Sequence, residues 1–254
     1  MSRSAPVTIL SAPSDEASLI KQPKTPTAGV DPAVLRENRI LAGMTPGAAL
    51  DAYRLLRTRV LQAMAVRQAN LLAVTSPGPG AGKSLTAVNL AVSIAMDVGR
   101  TVLLVDADLR RPRLHSYFGL HTPECGLAEY LNGNVPLESC LVRPGSGRLT
   151  LLPAGTPQHA SSELLASPRM QRFVQEVKQR YAERTIIVDL PPLLPFDDAL
   201  AFLPLADAAL LVVEDGRTRR DELHRCAELL AGSCLLGTVL NKVRRFGHAS
   251  YPQE

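Results

Sequence analysis

The chain is poor in aromatic residues: none of its 254 residues is tryptophan, and the three aromatic types together make up 4%. So few rings offer no stacking platform for unpaired bases, which argues against a protein that binds single-stranded nucleic acid. The formal net charge of +4 is too small to indicate a nucleic-acid partner by itself. The remaining composition, 46% hydrophobic and 20% charged residues, is typical of a globular protein with one sizeable core.

The sequence also lacks a long uninterrupted apolar run. The longest such stretch, residues 199–213, is broken by Pro204 and Asp207, and no stretch reaches the length that spans a bilayer. The amino terminus has no apolar segment of the secretory type. We therefore expect neither a membrane segment nor a secretion signal in this chain.

Cysteine is scarce, and its spacing indicates no special chemistry. Cys125, Cys140, Cys226 and Cys234 form no C-x-x-C pair and have no histidine at metal-ligand spacing. The sequence therefore predicts ordinary buried thiols in a reducing compartment, with neither disulfides nor zinc.

Residues 1–35 are scattered with Ser, Pro, Thr and Lys without periodicity, which predicts a disordered leader. Thr45 and Pro46 have the character of a helix N-cap and first turn, and apolar residues then recur at helical spacing to about Ala65. We assign residues 36–243 to a single domain that includes this helix, and residues 244–254 to a short mobile tail.

Beyond the first helix, short apolar runs alternate with longer segments of helical periodicity. This alternation predicts an α/β fold: a mostly parallel twisted sheet with helices on both faces. The predicted strands are residues 71–75, 101–105, 149–152, 185–189, 208–213 and 235–240, and the clearest helices are residues 84–97, 161–181 and 218–230.

The segment SPGPGAGKS, residues 76–84, follows the first predicted strand and precedes a helix. It ends in Gly-Lys-Ser as a phosphate-binding loop does, although Pro77 stands where the strict motif has glycine. A plain surface turn is the alternative, but the position between strand and helix favours a phosphate cradle, with Lys83 on the outer phosphates and Ser84 on magnesium. The candidate nucleotide-binding residues of the loop are Gly78, Pro79, Gly80, Ala81, Gly82, Lys83, Ser84 and Leu85.

Acidic residues stand at the ends of two predicted strands. Asp106 and Asp108 follow one strand, and Asp189 ends another. Each alone could be a turn former, but ligands of open parallel sheets bind outside the carboxyl ends of the strands, where these acids and the loop would converge. Carboxylates beside phosphates are what a magnesium nucleotide requires.

The stretches LLAVTSPGPGAGKSLTAVNLA, VLLVDADLRRPRLHSYFGL and TIIVDLPPLL resemble the Walker A, Walker A′ and Walker B motifs of the exopolysaccharide-associated bacterial tyrosine kinases of the CpsD/CapB type. The similarity continues through GLAEYLNG, LLPAG, SSELLASPRM, ADAALLVVEDGRTRRDEL and LLGTVLNK, so it covers residues 49–242. It points to the tyrosine autokinases encoded beside exopolysaccharide loci with exosortase systems. In that family the first Walker A position is often not glycine, so Pro77 is compatible with it.

The resemblance implies a P-loop enzyme that uses ATP and Mg²⁺ to phosphorylate tyrosine, including its own. Lys83 and Ser84 would hold the phosphates and the metal, and Asp106, Asp108 and Asp189 would order the metal. Within this set the metal ligands would be Ser84, Asp106 and Asp189, and Asp106 would accept the proton of the tyrosine hydroxyl. Asn241 lies where related ATPases contact the base, although a turn-forming asparagine explains it nearly as well.

Two further features are implied by the same resemblance. Asp51, Arg54 and Arg57 resemble the E-x-x-R-x-x-R motif through which these kinases assemble into rings, with aspartate in place of glutamate; an exposed intrahelical ion pair is the alternative. Tyr251 is the single tyrosine of the tail, where the family usually carries a cluster, and is the candidate autophosphorylation site.

The resemblance also implies a cytoplasmic enzyme recruited and activated by an inner-membrane polysaccharide co-polymerase. Two other functions remain open from the sequence. One is a positioning ATPase of the MinD/ParA kind, although such proteins usually carry a signature lysine at the position of Gly78. The other is a non-catalytic, ATP-binding regulatory subunit of the co-polymerase, which the single tail tyrosine would suit.

Overall fold

The structure is a computed structural model that describes residues 25–133, 135–145, 147–180, 183–232 and 235–243. The strands are β1 (Thr27–Ala28), β2 (Leu71–Thr75), β3 (Thr101–Asp106), β4 (Arg143–Pro144), β5 (Leu149–Leu152), β6 (Arg184–Asp189), β7 (Ala208–Glu214) and β8 (Leu235–Asn241). The helices are α1 (Pro32–Glu37), α2 (Ala48–Val66), α3 (Lys83–Ala95), α4 (Leu114–Tyr117), α5 (Leu127–Leu131), α6 (Leu137–Cys140), α7 (Ser161–Leu165), α8 (Pro168–Arg180), α9 (Asp198–Phe202) and α10 (Arg220–Leu229).

Six strands form a parallel sheet in the order β5-β3-β6-β2-β7-β8. Their apolar runs are continuous because both faces of the sheet are covered. Alternate residues of β2 enter different cores: Leu71 and Ala73 pack with α5 to α10, whereas Leu72 and Val74 pack with α2, α3 and α4. The predicted parallel sheet with helices on both faces is confirmed.

Strand β6 lies between β2 and β3, and this order creates the crevice where a ligand can bind. Asp106 at the end of β3 is the direct register partner of Asp189 at the end of β6, and Asp189 in turn pairs with Val74 of β2. The loop after β2 and the two acids therefore meet at one edge of the sheet, as expected for an open α/β fold.

Part of the predicted leader has defined structure. Strand β1 pairs with β4, and the Arg143 amide donates to the Pro26 carbonyl at 2.8 Å. Helix α1 starts at Pro32 behind the N-cap Asp31, whose side chain accepts from the Ala33 amide at 2.7 Å. Assigning residues 25–35 to a disordered leader was wrong, and the Asp-Pro start signal for a helix was present in the sequence.

Two helix assignments also differ from the prediction. Helix α2 begins at Ala48 with Gly47 as its N-cap, so Thr45 and Pro46 precede it. The predicted helix 161–181 is two helices, α7 and α8, and Pro168 is the first residue of the second. Proline suits this position because the first helical residue needs no amide hydrogen.

The expectation of free thiols was wrong for one pair of cysteines. Cys125 and Cys140 form a disulfide that joins the loop before α5 to the last residue of α6, 15 positions apart. Cys226 is a buried free cysteine as predicted, and burial raises the pKa of its thiol to about 11. Cys234 lies outside the described residues.

Within the described ranges, no helix combines the length and the apolar character that crossing a bilayer requires.

Candidate active site

The loop between β2 and α3 takes its shape from two glycines. Gly80 and Gly82 have positive φ angles of 86° and 94°, which other residues rarely adopt. A side chain at Gly82 would also collide with the Asn241 amide. Pro77 is buried, and its carbonyl accepts from the Leu194 amide at 3.2 Å, so this position packs against the loop after β6. The proline is compatible with the cradle because its position does not require a left-handed backbone.

Lys83 is the first residue of α3 and connects the loop to the acids. Its Nζ atom lies 2.9 Å from Asp108 Oδ2, 3.4 Å from Asp189 Oδ2 and 3.1 Å from Ser84 Oγ. The side chain is 11% exposed. Burial by itself lowers the pKa of Lys83, but the carboxylates of Asp189 and Asp108 outweigh it, so the pKa is raised and the ammonium stays charged. A buried cation thus stands at the helix start where phosphates bind.

Asp106 is fully buried and organises the loop that follows β3. Its Oδ1 accepts from the Asp108 amide at 3.2 Å, and its Oδ2 accepts from the Arg113 and Leu114 amides at 3.0 and 2.9 Å. Burial and the neighbouring Asp189 charge raise the pKa of Asp106 to about 7. Although Asp106 stands at a strand end, its carboxylate does not face solvent, because the loop folds back over it.

Asp189 is 1% exposed, and burial raises its pKa against the opposing charge of Lys83. Its Oδ1 atom is buried and has no hydrogen bond of normal geometry in the described part of the chain, although the Ser84 hydroxyl interacts with the carboxyl and lowers its pKa. An acceptor left in this state beside a hydroxyl is suited to a cation or to one of its water ligands.

The acids do not form a metal cage by themselves. Among the residues that the structure describes, no three His, Cys, Asp or Glu side chains are grouped to hold a metal ion. Lys83 stands between Asp108 and Asp189 instead. This suits Mg²⁺ in particular, because that ion is usually held by one or two carboxylates together with phosphate oxygens and water. The assignment of Ser84, Asp106 and Asp189 as metal ligands stays a prediction.

An ion pair between Arg110 and Asp198, which the sequence did not predict, lies at the same edge of the sheet. Arg110 donates from Nε to both carboxylate oxygens of Asp198 at 3.0 and 3.2 Å, and its guanidinium lies 5.0 Å from the ring centre of Phe196. Asp198 is fully buried and also accepts from the Ser161 hydroxyl. These contacts join the loop after β3 to α7 and α9. No local pattern pairs residues 88 positions apart.

The side chain of Asn241 is engaged with the phosphate loop. Its Nδ2 donates to the Ala81 carbonyl at 2.9 Å, and its Oδ1 accepts from the Lys242 amide at 2.8 Å. Beside it, a groove of about 500 Å³ runs between α2 and β8, lined by Leu56, Thr86 and Leu240 among others. Contact of Asn241 with a base stays a prediction.

The three candidate assembly residues on α2 do not point the same way. Asp51 and Arg54 form an exposed ion pair at 3.3 Å. Arg57 is partly buried and donates to the Ser93 carbonyl of α3 at 2.8 Å. The structure thus leaves Arg54 available to a neighbour and uses Arg57 within the fold. Tyr251 lies outside the described residues.

Comparison with known proteins supports the assignment of this edge as a nucleotide site. The CobQ/CobB/MinD/ParA nucleotide binding domain family matches residues 72–251. The chain is 34% identical over 220 residues to the tyrosine-protein kinase YwqD of Bacillus subtilis, covering 85% of this chain and 91% of YwqD. It is 36% identical over 214 residues to the succinoglycan biosynthesis transport protein ExoP of Rhizobium meliloti, covering 82% of this chain but only 26% of ExoP.

Solved structures agree. The kinase domain of the Escherichia coli tyrosine kinase ETK superposes with a TM-score of 0.73 at 31% identity, covering 81% of this chain and 80% of that domain. The septum site-determining protein MinD of Pyrococcus horikoshii, solved with Mg-ADP, gives a TM-score of 0.59 at 25% identity over 70% of this chain and 72% of MinD.

Proposed function

The chain belongs to the CobQ/CobB/MinD/ParA nucleotide-binding family and, within it, to the bacterial protein-tyrosine kinases, and from this premise we propose that it uses MgATP to phosphorylate tyrosine on itself. The observation that carries the proposal is the buried Lys83 ammonium, held at the start of α3 between Asp108 and Asp189. Phosphoryl transfer requires mainly positioning and charge neutralisation, and this arrangement supplies both.

The residues divide the work as follows. The backbone amides of Gly78 and of residues 80–85 bind the phosphates, since Pro79 has no amide hydrogen to donate, and Lys83 exchanges part of its carboxylate contacts for phosphate oxygens. Ser84 and Asp189 are the best placed to hold Mg²⁺, which when bound neutralises charge on the phosphates. Asp106, whose pKa of about 7 suits proton transfer near neutral pH, is the candidate to accept the proton of the tyrosine hydroxyl. Its three amide contacts keep the carboxylate in one orientation.

The proposal is tested by replacing Lys83 with methionine. Loss of the ammonium removes charge-assisted hydrogen bonds to phosphate, each worth about 1.5 to 3 kcal/mol, so ATP binding by calorimetry and tyrosine labelling should both be lost. Lys178→Met is the matched control, because Lys178 pairs with Asp207 at the opposite end of the sheet. A folded Lys83→Met protein with wild-type ATP affinity and labelling would contradict the proposal.

A tyrosine kinase and a positioning ATPase differ in the product of the reaction, which is phosphotyrosine for the kinase and free phosphate for the ATPase. Greater similarity to the ETK kinase domain than to MinD favours the kinase. We expect purified protein with MgATP to form phosphotyrosine, and Asp106→Asn to abolish it. Release of free phosphate without any phosphotyrosine would instead indicate the ATPase.

We also propose a role in exopolysaccharide synthesis, chain length or export, under the control of an inner-membrane co-polymerase that brings the cytoplasmic kinase to the membrane. The name of ExoP, which this chain matches over part of its length, supports that context. Adding the cytoplasmic segment of the co-polymerase should increase phosphotyrosine formation by the wild type. No response to that segment would remove the activator from the proposal.

A ring of subunits is proposed from Asp51, Arg54 and Arg57, with Arg54 as the residue to test. Arg54→Ala should lower the mass measured by light scattering, whereas Arg57→Ala would also remove the contact of α2 with α3. Arg100→Ala is a close control, because Arg100 and Asp97 form an exposed pair with the same spacing and the same 3.3 Å separation. If Arg54→Ala and wild type have equal mass, Asp51 and Arg54 form an ordinary surface ion pair and the ring proposal fails.

Tyr251 is proposed as the main autophosphorylation site. The structure supports this indirectly, because Tyr53, Tyr117 and Tyr130 are partly buried and burial raises the pKa of each hydroxyl. Mass spectrometry after incubation with MgATP should find phosphate chiefly on Tyr251, and Tyr251→Phe should remove most of it. Undiminished labelling in that variant would exclude the tail as the main acceptor.

A further inference from the structure

The residue after β8 makes two contacts that tie it to the phosphate loop. Lys242 Nζ donates to the Gly80 carbonyl at 2.7 Å and lies 3.1 Å from Glu214 Oε2, at the end of β7. The preceding Asn241 holds the next carbonyl, that of Ala81, at 2.9 Å. Two successive carbonyls of the loop are thus bound from the same side by adjacent residues.

This arrangement fixes the direction of the loop amides. In a trans peptide the C=O and the following N–H point in opposite directions. Holding the Gly80 carbonyl against Lys242 therefore aims the Ala81 amide away from Lys242, and holding the Ala81 carbonyl against Asn241 does the same for the Gly82 amide. Amides of a phosphate loop act by pointing at the phosphates. Glycine at positions 80 and 82 permits many backbone orientations. The hydrogen bonds to the Gly80 and Ala81 carbonyls therefore restrict the orientations that these two peptide groups can adopt.

The support for Lys242 is itself well defined. Its backbone is left-handed, with φ of 59°, which is uncommon for lysine and must be maintained by surrounding contacts. The Asp215 amide donates to the Asn241 carbonyl at 2.9 Å, so the ends of β7 and β8 are joined. Glu214 is 13% exposed on its side chain and keeps the Lys242 ammonium near the loop.

We propose that Lys242, oriented by Glu214, is a positioning residue that presets the Ala81 and Gly82 amides to receive the phosphates of the nucleotide. It does not touch the reacting atoms. The inference rests on the proposed nucleotide site and adds to it a support on the far side of the loop. We call the pair Lys242 and Glu214 the clamp. The loop amides bind phosphates that ADP and ATP share, so loss of the clamp should weaken the binding of both nucleotides equally.

The experiment measures binding of MgADP and MgATP by calorimetry, together with steady-state tyrosine phosphorylation. Lys242→Met should weaken both nucleotides by the same factor, about three- to tenfold, and raise KM for ATP with kcat little changed. Lys242→Arg, which keeps the charge, should recover much of the affinity, and Glu214→Gln should be intermediate. Arg217→Ala is the matched control, because Arg217 also approaches Glu214, at 3.9 Å, and is 75% exposed on its side chain.

Each result separates the clamp from the nucleotide site itself. Wild-type affinity in Lys242→Met, while Lys83→Met no longer binds ATP, would overturn the clamp and leave the proposed function standing. A larger loss for ATP than for ADP would place Lys242 at the terminal phosphate and would also overturn it. If Lys83→Met binds normally, the proposed site fails and the clamp fails with it.

Discussion

Removing the Lys83 ammonium should destabilise the nucleotide-free protein, apart from its effect on binding. In the folded chain this cation is 11% exposed and lies between two carboxylates that are 12% and 1% exposed. Lys83→Met leaves Asp108 and Asp189 close together in a buried crevice without a counter-charge. Breaking a buried ion pair from one side costs about 3 to 5 kcal/mol, and we expect a loss in that range at pH 8.

The loss of unfolding free energy in Lys83→Met should be larger at high pH than at low pH. Burial already raises the pKa of Asp189 in the wild type, and the Lys83 ammonium opposes that rise. Without Lys83 the folded pKa of Asp189 rises further, so the variant gains more stability than the wild type as the pH falls. Each proton bound on folding is worth about 1.4 kcal/mol per pH unit, so the deficit relative to wild type should shrink by up to that amount for each unit below pH 8. Urea unfolding of wild type and variant at pH 6, 7 and 8 measures this directly.

A second substitution isolates the cause. Lys83→Met combined with Asp108→Asn removes one of the unpaired charges and should recover about 1 to 2 kcal/mol relative to the single variant at pH 8. The reasoning is refuted if Lys83→Met is as stable as wild type at pH 8, or if its deficit is the same at pH 6 and pH 8.

Three other predictions concern stability. Because burial and the Asp189 charge raise the folded pKa of Asp106 from 3.8 to about 7, the nucleotide-free protein should lose stability as pH rises from about 4 to 7, and Asp106→Asn should flatten that urea-unfolding profile. Reducing the bond between Cys125 and Cys140, which closes a loop of 15 positions, should cost about 3 kcal/mol by the same assay, with a Cys140→Ser protein insensitive to reductant. Asp198→Ala should cost about 3 kcal/mol through its unpaired arginine partner, whereas the exposed neighbour Asp197→Ala should cost less than about 0.5 kcal/mol.

Much of the fold could be predicted because its signals are local. Each of the six strands of the main sheet coincides with a short continuous apolar run, which a strand buried on both faces requires. Loop 76–84 was recognisable because Gly-Lys-Ser follows a strand and opens a helix, and glycine is needed where φ is positive, at Gly80 and Gly82. The two segments that were predicted wrongly carry local signals as well. Asp31 and Pro32 form a helix start, and Pro168 begins a second helix.

The sequence by itself thus determined the strand pattern, the phosphate loop and the placement of Asp106, Asp108 and Asp189 at strand ends. Only the tertiary structure decided what these groups do to one another. Lys83 meets partners 25 and 106 positions away because β6 lies between β2 and β3, and strand order is not written in any single strand. The disulfide, the burial of Asp106 and the hydrogen bond from Lys242 to the Gly80 carbonyl likewise depend on chain segments brought together by folding. The disulfide stabilises by closing a loop, and the electrostatic interactions of Asp106 are strong because folding removes water from around its carboxylate.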